Sequence, residues 1–403
     1  MVSGSIGERI AAYRRRRGLS QAALAGLIGR SESWLSQVER GVRSVDRMSI
    51  LLDMAKVLHV DVESLTGRPW QYAPNGGATP SDLGEVRRYF ARYDHLFGDD
   101  LESSLNASAL RVQAADAHKR YQAAEYEDLV TDLPELLLAA DSLHRMAGSA
   151  ERREMLLSYA STYVVAAKLL TKMGAADLAQ LAADRCATAA LDADSLEAQG
   201  MAAYQVVCAL LRGDRPEDAE SLAMKMATRI TSSAHSDSPS LVSVAGSLWL
   251  ISAVIAGRRT ERGEAYRRLS EAQRLADLLG HDANFAWTAF GPTNVAIHRV
   301  SVAAELGDAS EALQVATAVN PDSLPAGLNS RKAQIYLDLA WAQAQRKRDA
   351  EAILHLLEAE RIAPNAVRYN VVVREMVREI LSRSRRSKTT ALHNLALRAG
   401  VID

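Results

Sequence analysis

Cysteine and aromatic residues are scarce in this chain, which limits the folds it can adopt. Only Cys186 and Cys208 occur among 403 residues, so a disulfide-rich secreted fold is excluded. We expect both thiols to be small core residues in a reducing cytoplasm rather than a disulfide or a metal site. Aromatic residues make up 5% and hydrophobic residues 48% of the chain, so its core must consist mainly of Ala, Leu and Val.

Long apolar runs are absent as well. No stretch of about eighteen consecutive apolar residues occurs, and the N-terminus has no apolar signal segment, so we expect a cytoplasmic protein without membrane contact. Catalytic patterns are also missing, because the nine histidines are scattered and no glycine-rich phosphate loop or metal-ligand spacing is present. The sequence therefore predicts no enzymatic activity, no cofactor and no metal.

The net charge of −1 hides an uneven distribution. Residues 1–70 contain eleven Arg or Lys and seven Asp or Glu, a net charge of +4, which leaves −5 for the remainder. A basic N-terminal segment joined to an acidic body is typical of nucleic-acid binding confined to one end of a chain.

Two short helices joined by a tight turn are predicted between Ser20 and Gly41. Ser20 and Ser31 are good N-caps, and Gly29 and Gly41 can end the two helices with positive φ. The apolar sides of these helices are too small to fold alone. Segments 6–17 and 48–58 are therefore predicted to add a helix on each side, with a closing turn at 62–65.

A wider set of residues carries a family resemblance. It consists of Arg14, Gly18-Leu19-Ser20-Gln21, Leu24-Ala25 and Ser36-Gln37-Val38-Glu39-Arg40-Gly41. In this spacing, residues 6–66 resemble the Cro/cI-type helix-turn-helix domain, also called the xenobiotic-response-element family. The resemblance implies a five-helix, lambda-repressor-like DNA-binding domain over residues 1–66, with a structural ion pair between Arg14 and Glu39.

The resemblance places the second helix, residues 31–40, in the major groove of double-stranded DNA. Glu32, Ser33 and Gln37 lie on its outward face and are predicted to contact base edges, because Gln can bind adenine, Glu can accept from cytosine, and Ser suits either. We expect a homodimer on a palindromic operator, since one such helix covers only a few base pairs.

A second group of side chains is predicted to contact the DNA backbone, which fixes register without specifying sequence. It consists of Gln21, Trp34, Arg40, Arg43 and Arg47. The alternative for Trp34 is packing against the first helix of the pair, and the alternative for each arginine is a solvated surface charge.

The rest of the chain is predicted to be helical after a linker. Segment 67–80 contains three prolines and three glycines and cannot sustain a helix, so it separates the two parts. Residues 81–150 are predicted to be a helical lead-in, 151–364 a set of repeats, and 365–403 capping helices with one long helix from 368 to 385. Turns are expected at glycines such as Gly174, Gly257 and Gly280.

An internal repeat supports this division. Small residues recur at spacings of 40, 46, 47 and 40 residues, at Ala179, Ala219, Ala265, Ala312 and Ala352. Small residues at these points let two helices pack closely. The units resemble the tetratricopeptide repeat, which implies an α-solenoid of helical hairpins; a generic helical bundle is the alternative.

The resemblance implies a concave groove lined by the first helix of each hairpin. The predicted groove residues are Lys168, Tyr204, Arg212, Arg258, Asn294, His298, Gln334 and Trp341. Their mixture of cations, amides and apolar groups suits a peptide or small-molecule effector. The alternatives are a solvated face on a protein that only oligomerises and, for His298, a packing role.

Together these features predict a sequence-specific DNA-binding transcriptional regulator whose helical repeats dimerise and sense a ligand. The combination resembles the peptide-responsive regulators of Gram-positive bacteria, and the Ala- and Arg-rich composition resembles that of actinobacterial proteins. The alternative is a repeat scaffold for protein–protein assembly that uses the helix-turn-helix only to localise on DNA. A bound peptide or a partner protein would distinguish the two.

Overall fold

The protein is almost entirely α-helical wherever its structure is described. The structure, a computed structural model, describes residues 5–17, 19–43, 45, 48–58, 60, 65, 83–93, 106–149, 151–213, 215–383 and 389–402. All regular elements within these ranges are helices, which confirms the predicted all-α class. Arg47, the linker 67–80 and most of the predicted closing turn lie outside the described residues.

Two compact units make up the chain, residues 1–74 and 75–403. The first unit contains α1 (Ile6–Arg16), α2 (Gln21–Leu27), α3 (Glu32–Glu39) and α4 (Met48–Leu58). The Ser20 and Ser31 hydroxyls accept hydrogen bonds from the third backbone N–H of α2 and α3 respectively. Gly29 and Gly41 take φ values of +65° and +71°, so the predicted capping pattern is confirmed.

The core of the first unit is formed by one side of each of these helices. Its fully buried side chains include Ile10, Leu24, Leu35 and Met54. Gly7 allows α1 to approach the end of α3, because a Cβ at this position would lie 2.2 Å from the carbonyl oxygen of Val38. This close contact brings the side chains of α1 within reach of the last turn of α3.

In the part of the second unit that the structure describes, three leading helices are followed by helical hairpins. The leading helices are α5 (Leu83–Phe90), α6 (Ala107–Ala123) and α7 (Tyr126–Met146). The hairpins are α8 (Arg152–Lys172) with α9 (Ala176–Asp192), α10 (Leu196–Arg212) with α11 (Pro216–Thr231), α12 (Pro239–Arg258) with α13 (Arg262–Leu279), α14 (Pro292–Glu305) with α15 (Ala309–Ala316), and α16 (Asn329–Gln345) with α17 (Asp349–Ile362). The chain then forms α18 (Pro364–Arg368), α19 (Val371–Arg383) and α20 (Thr390–Arg398).

Close packing within each hairpin depends on small residues. The repeat positions Ala179, Ala219, Ala265, Ala312 and Ala352 are all fully buried on the second helix of their hairpins. Successive first helices, α8, α10, α12, α14 and α16, pack side by side. They form the inner layer of the array, and the second helices form its outer layer.

The two ends of this helical array meet. Helix α6 packs against both α8 and α16, and one continuous core contains residues of α5–α10 together with residues of α16–α20. The Tyr126 hydroxyl lies 3.0 Å from the Ser330 hydroxyl, and the Tyr369 hydroxyl donates to Glu127 at 2.7 Å. The second unit is therefore a closed ring of helices.

Two boundary predictions were wrong. The helix predicted over 368–385 is interrupted after Arg368, where Asn370 caps the next helix by accepting from the Val372 N–H. Gly257 does not form a turn, since α12 continues to Arg258 and Thr260 takes the positive φ. Two basic residues near the C-terminus form ion pairs, Arg383 with Asp349 and Arg398 with Glu360.

One helix among the described residues, α12, is long and apolar enough to cross a membrane by length and composition. However, 78% of its apolar window is buried inside the domain, as expected for a core helix. Its Gly246 lies directly against the ring of Phe290, which is fully buried. This contact fixes the start of α14 against the middle of α12.

Candidate functional site

The first unit is held together by a hydrogen-bonded ion pair between α1 and α3. Arg14 Nε lies 2.6 Å from Glu39 Oε1, and Arg14 Nη2 lies 2.9 Å from Oε2. Gln21 at the start of α2 donates to the same carboxylate at 2.7 Å. Burial favours a higher pKa for Glu39, but the hydrogen bonds from Arg14 and Gln21 outweigh it and lower the pKa. Three helices therefore meet at one carboxylate.

Gln21 has a role that the sequence did not predict. Its predicted contact with a phosphate stays a prediction, and its amide nitrogen also donates to Glu39. This contact joins α2 to the end of α3, so it supports the angle between the two helices.

The outward face of α3 is open to solvent. Glu32 and Ser33 are exposed and Gln37 is half-buried, so all three lie on the accessible side of the helix. Arg40 and Arg43 are exposed just beyond it. This face can therefore enter a groove without rearrangement of the core.

Trp34 lies at the edge of the core rather than on the open face. It is half-buried and packs against the apolar cluster of the first unit. The Arg30 guanidinium lies 5.7 Å from the centre of its ring, within the range of a cation–π contact. This arrangement corresponds to the packing alternative for Trp34.

The second unit contains a cavity of about 640 Å³. Its wall is built mainly from the five inner helices, α8, α10, α12, α14 and α16. All eight predicted groove residues line it, namely Lys168, Tyr204, Arg212, Arg258, Asn294, His298, Gln334 and Trp341. Ring closure narrows the predicted groove into a cavity that stays open to solvent at Arg258, whose side chain is 53% exposed.

Charged side chains of the cavity are mostly cationic. The cations are Lys168, Lys172, Arg212, Arg258 and Arg331, and the acids are Glu305 and Asp338. Burial is the main cause that lowers the pKa of both Lys168 and Lys172 to about 8. Burial also raises the pKa of Asp338 to about 6, against hydrogen bonds from Ser301 and Gln334.

Asn294 and His298 lie at the start of α14, and both are buried in the cavity wall. One ring nitrogen of His298, Nδ1, lies 2.9 Å from the Asn294 carbonyl oxygen. Burial lowers the pKa of His298 to about 3, so its ring is neutral, which agrees with a packing role. The Asn294 side-chain oxygen is buried and has no hydrogen-bond partner.

A loop before α14, residues 281–291, forms another part of the wall and was missed by sequence reasoning. Ala286, Trp287 and Ala289 have positive φ values of 49°, 56° and 54°. A positive φ at a residue other than glycine is strained, so it persists only where tertiary contacts stabilise it. The Trp287 carbonyl accepts from Lys168 Nζ at 3.0 Å, and the indole stacks on His118 at a ring distance of 4.9 Å.

Further contacts tie this loop to α6. The side-chain amides of Gln122 and Asn284 exchange two hydrogen bonds of 2.9 Å, and Asn284 also accepts from the Ala289 N–H. The sequence pointed only to the end of this loop, at Phe290–Asn294. None of the three residues with positive φ is a glycine, so the sequence gives no turn pattern for this loop.

Comparisons with known proteins agree with the geometry of the first unit. Residues 5–66 match the family model described as "Helix-turn-helix domain", which confirms the resemblance inferred for this part of the chain. No curated protein matches the sequence at a significant level.

One solved structure with similarity is the crystal structure of Bacillus thuringiensis PlcR in complex with the peptide PapR7 and DNA. The sequence identity is 18%, the TM-score is 0.33, and the alignment covers 69% of this chain and 96% of that chain. A TM-score this low does not establish a shared fold.

Proposed function

We propose that this protein is a transcriptional regulator that binds a DNA operator through α3 and an effector through the cavity of its second unit. The observation that carries the proposal is the open outward face of α3 in a helix-turn-helix domain. In such domains the second helix enters the major groove and its N-terminal half contacts base edges. Glu32, Ser33 and Gln37 are the proposed base contacts.

Exposed cations next to α3 supply the second part of this DNA interface. Arg40 and Arg43 are proposed to contact phosphates, because both are exposed just beyond the recognition helix. Arg47 belongs to the same proposed set but lies outside the described residues. Such contacts provide affinity that falls as salt concentration rises.

The cavity supports an effector-binding role for the second unit. Its volume of about 640 Å³ is in the range of sites that hold small molecules or short peptides. It combines apolar walls with a few buried polar groups, which is the usual composition of a ligand site. We propose that the effector acts in the cytoplasm by favouring one arrangement of the ring, provided that it binds this arrangement more tightly.

An assembly scaffold is less compatible with the ring. A tetratricopeptide scaffold offers an open concave face to its partner protein, whereas the corresponding side chains of this chain line a cavity inside a ring of helices. A folded partner has no access to Asn294 or His298, which are buried. The cavity therefore favours a regulator with a small ligand.

DNase footprinting of the full chain on fragments from its own chromosome tests the proposal. We expect a short protected site that persists in the presence of excess random DNA at about physiological salt. If random DNA abolishes protection of all fragments equally, the protein is not a sequence-specific regulator.

A further inference from the structure

We propose that the cavity binds an organic anion, with an apolar body and a carboxylate or similar negative group that Lys172 and Arg212 hold. This inference rests on the proposed function, in which the cavity is the effector site, and it narrows the effector to one chemical class.

The cavity has more positive than negative side chains, and its acids are already engaged. Among the described residues, five cations and two carboxylates line it, an excess of three positive charges. Glu305 accepts from Arg258 at 2.8 Å, and Asp338 accepts from Gln334 at 2.8 Å. Glu305 is therefore already paired, whereas Asp338 is hydrogen-bonded to a neutral amide and keeps its charge.

Among the residues that the structure describes, neither Lys172 nor Arg212 forms an ion pair with a carboxylate, and Asp338 attracts Lys172 only weakly. Burial lowers the pKa of both, and each also lies near other cations, Arg331 for Lys172 and Arg258 for Arg212. An unpaired charge that is partly removed from water is unfavourable, and an added anion would stabilise it. This is the electrostatic arrangement of an anion site.

Four of the cavity cations exert an electrostatic effect on the same group, the thiol of Cys208. Lys172, Arg212, Lys168 and Arg258 all favour its thiolate form, although burial raises the pKa of Cys208 to about 11. Residues on α8, α10 and α12 therefore direct positive potential at one part of the wall. Cys208 lines this part and provides a reporter for it.

Other parts of the wall define the body of the ligand. Met201, Leu250 and Val254 are apolar lining residues next to the cationic part on α10 and α12. On α14, Asn294 is 1% exposed and its side-chain oxygen has no partner. A buried acceptor without a donor is costly, so a ligand N–H or O–H would satisfy it. A negative group, an apolar body and an N–H or O–H donor occur together both in a peptide with a free carboxyl terminus and in a non-peptide organic acid.

The charge of the cavity can be measured with two alkylating reagents of nearly equal size. Iodoacetate is an anion and iodoacetamide is its neutral counterpart, and both react with the Cys208 thiolate. The ratio of their rates at Cys208 in the full chain, divided by the same ratio for N-acetylcysteine, removes the effect of the thiol pKa. Peptide mapping by mass spectrometry separates Cys208 from Cys186, which is fully buried.

We expect a normalised ratio of at least about 3, because a cleft lined by one sign of charge raises the local concentration of opposite ions by about 10–1,000-fold. The ratio should fall toward 1 in Lys172→Met and Arg212→Met, and in the wild type at high salt. Lys225→Met is the matched control, since Lys225 is an exposed lysine of α11 that does not line the cavity. A wild-type ratio of 1 or below, or a ratio that neither cavity variant changes, would overturn the proposal.

Protection of Cys208 from iodoacetamide then identifies the source of the anion. The probes are pentaalanine with a free carboxyl terminus against pentaalanine amide, and octanoate against octanol. Protection by pentaalanine alone assigns a peptide, and protection by octanoate alone assigns an organic acid. If neither acid protects, or if the neutral compounds protect equally well, the anion proposal is wrong. An intact operator footprint would then leave the proposed function standing, whereas loss of the footprint rejects that function whatever the alkylation ratio.

Discussion

Arg14 and Glu39 lie twenty-five residues apart in the chain, yet their side chains form two parallel hydrogen bonds of 2.6 and 2.9 Å. Both side chains are largely withdrawn from solvent, with exposures of 12% and 6%. The pair joins the first helix of the domain to the end of the recognition helix. It therefore connects the stability of the unit to the position of the DNA-contacting face.

Arg14→Ala should destabilise the first unit by about 3–5 kcal/mol, since it leaves the Glu39 carboxylate largely buried without its cation. A domain of this size has little stability to lose. Hydrogen–deuterium exchange over residues 6–43 of the full chain would measure the change. Arg15→Ala is the control, because Arg15 is exposed on the same helix. Equal exchange in both variants would show that the ion pair contributes little.

Gln37→Ala should weaken binding to the specific operator by about 1–3 kcal/mol and relax the preference at one base position. Arg40→Ala should weaken binding to all sequences alike and reduce the salt dependence, as expected for a phosphate contact. Fluorescence anisotropy on operator and random duplexes at several salt concentrations would separate the two effects. If Gln37→Ala weakened binding to the operator and to the random duplex equally, the assigned base-contacting face would be wrong.

Gly246→Ala should lower the free energy of unfolding of the second unit by about 1–3 kcal/mol, because the added methyl group overlaps the buried ring of Phe290. Denaturant titration followed by circular dichroism would measure it. Gly263→Ala is the control of opposite sign, since nothing lies within 4 Å of its Cβ position in α13. That substitution should stabilise the helix by up to about 1 kcal/mol. Equal effects of the two variants would contradict the packing described here.

Lys172→Met should raise the thermal stability of the second unit at pH 7.5, by an amount that declines toward pH 9.5. Burial lowers the pKa of Lys172 from 10.5 to about 8. The unfolded chain therefore binds one more proton between these values, so stability increases with pH there and the penalty is fully present below pH 8. Because the side chain keeps some contact with solvent, we expect about 1 kcal/mol. Calorimetry of the wild type and the variant would measure this difference in stability. A difference that does not change with pH would refute the lowered pKa of Lys172.

The full chain should behave as a homodimer, with twice the protomer mass of 43.7 kDa in light scattering. A single recognition helix contacts too few base pairs to select one site in a genome, and two-fold symmetry doubles the contacts. The operator footprint should then have dyad symmetry, with half-sites about one helical turn apart. A monomer at concentrations that saturate the operator would exclude this arrangement.

The sequence predicted the local structure of the first unit well, because its signals are local. Ser20, Ser31, Gly29 and Gly41 act within one turn of their own helix, so their types and spacing were sufficient. The Arg14–Glu39 contact was accessible through the family resemblance alone. Gly7 was not recognised, since its importance depends on the approach of another helix.

In the second unit, the sequence predicted the hairpins and the inward-facing side chains but not how the array ends. The repeat register placed Lys168 and Asn294 on the inner face because each hairpin repeats the same packing. The closure of the ring depends on contacts such as Tyr126 with Ser330, between segments of unrelated pattern. The positive φ of Trp287 likewise results from tertiary contacts that no neighbouring residue indicates.

Closure of the ring also determines how this protein must fold. In an open solenoid each repeat contacts only its neighbours, so folding can begin at any hairpin and proceed along the chain. Here Tyr126 contacts a residue 204 positions away, and Glu127 accepts from one 242 positions away. During synthesis, α6 and α7 can pack on each other and on α8 early, but their contacts with the C-terminal end of the array form only when almost the entire chain has left the ribosome. We expect slow, cooperative formation of the second unit, and deletion of a single hairpin should disrupt both ends of the array at once.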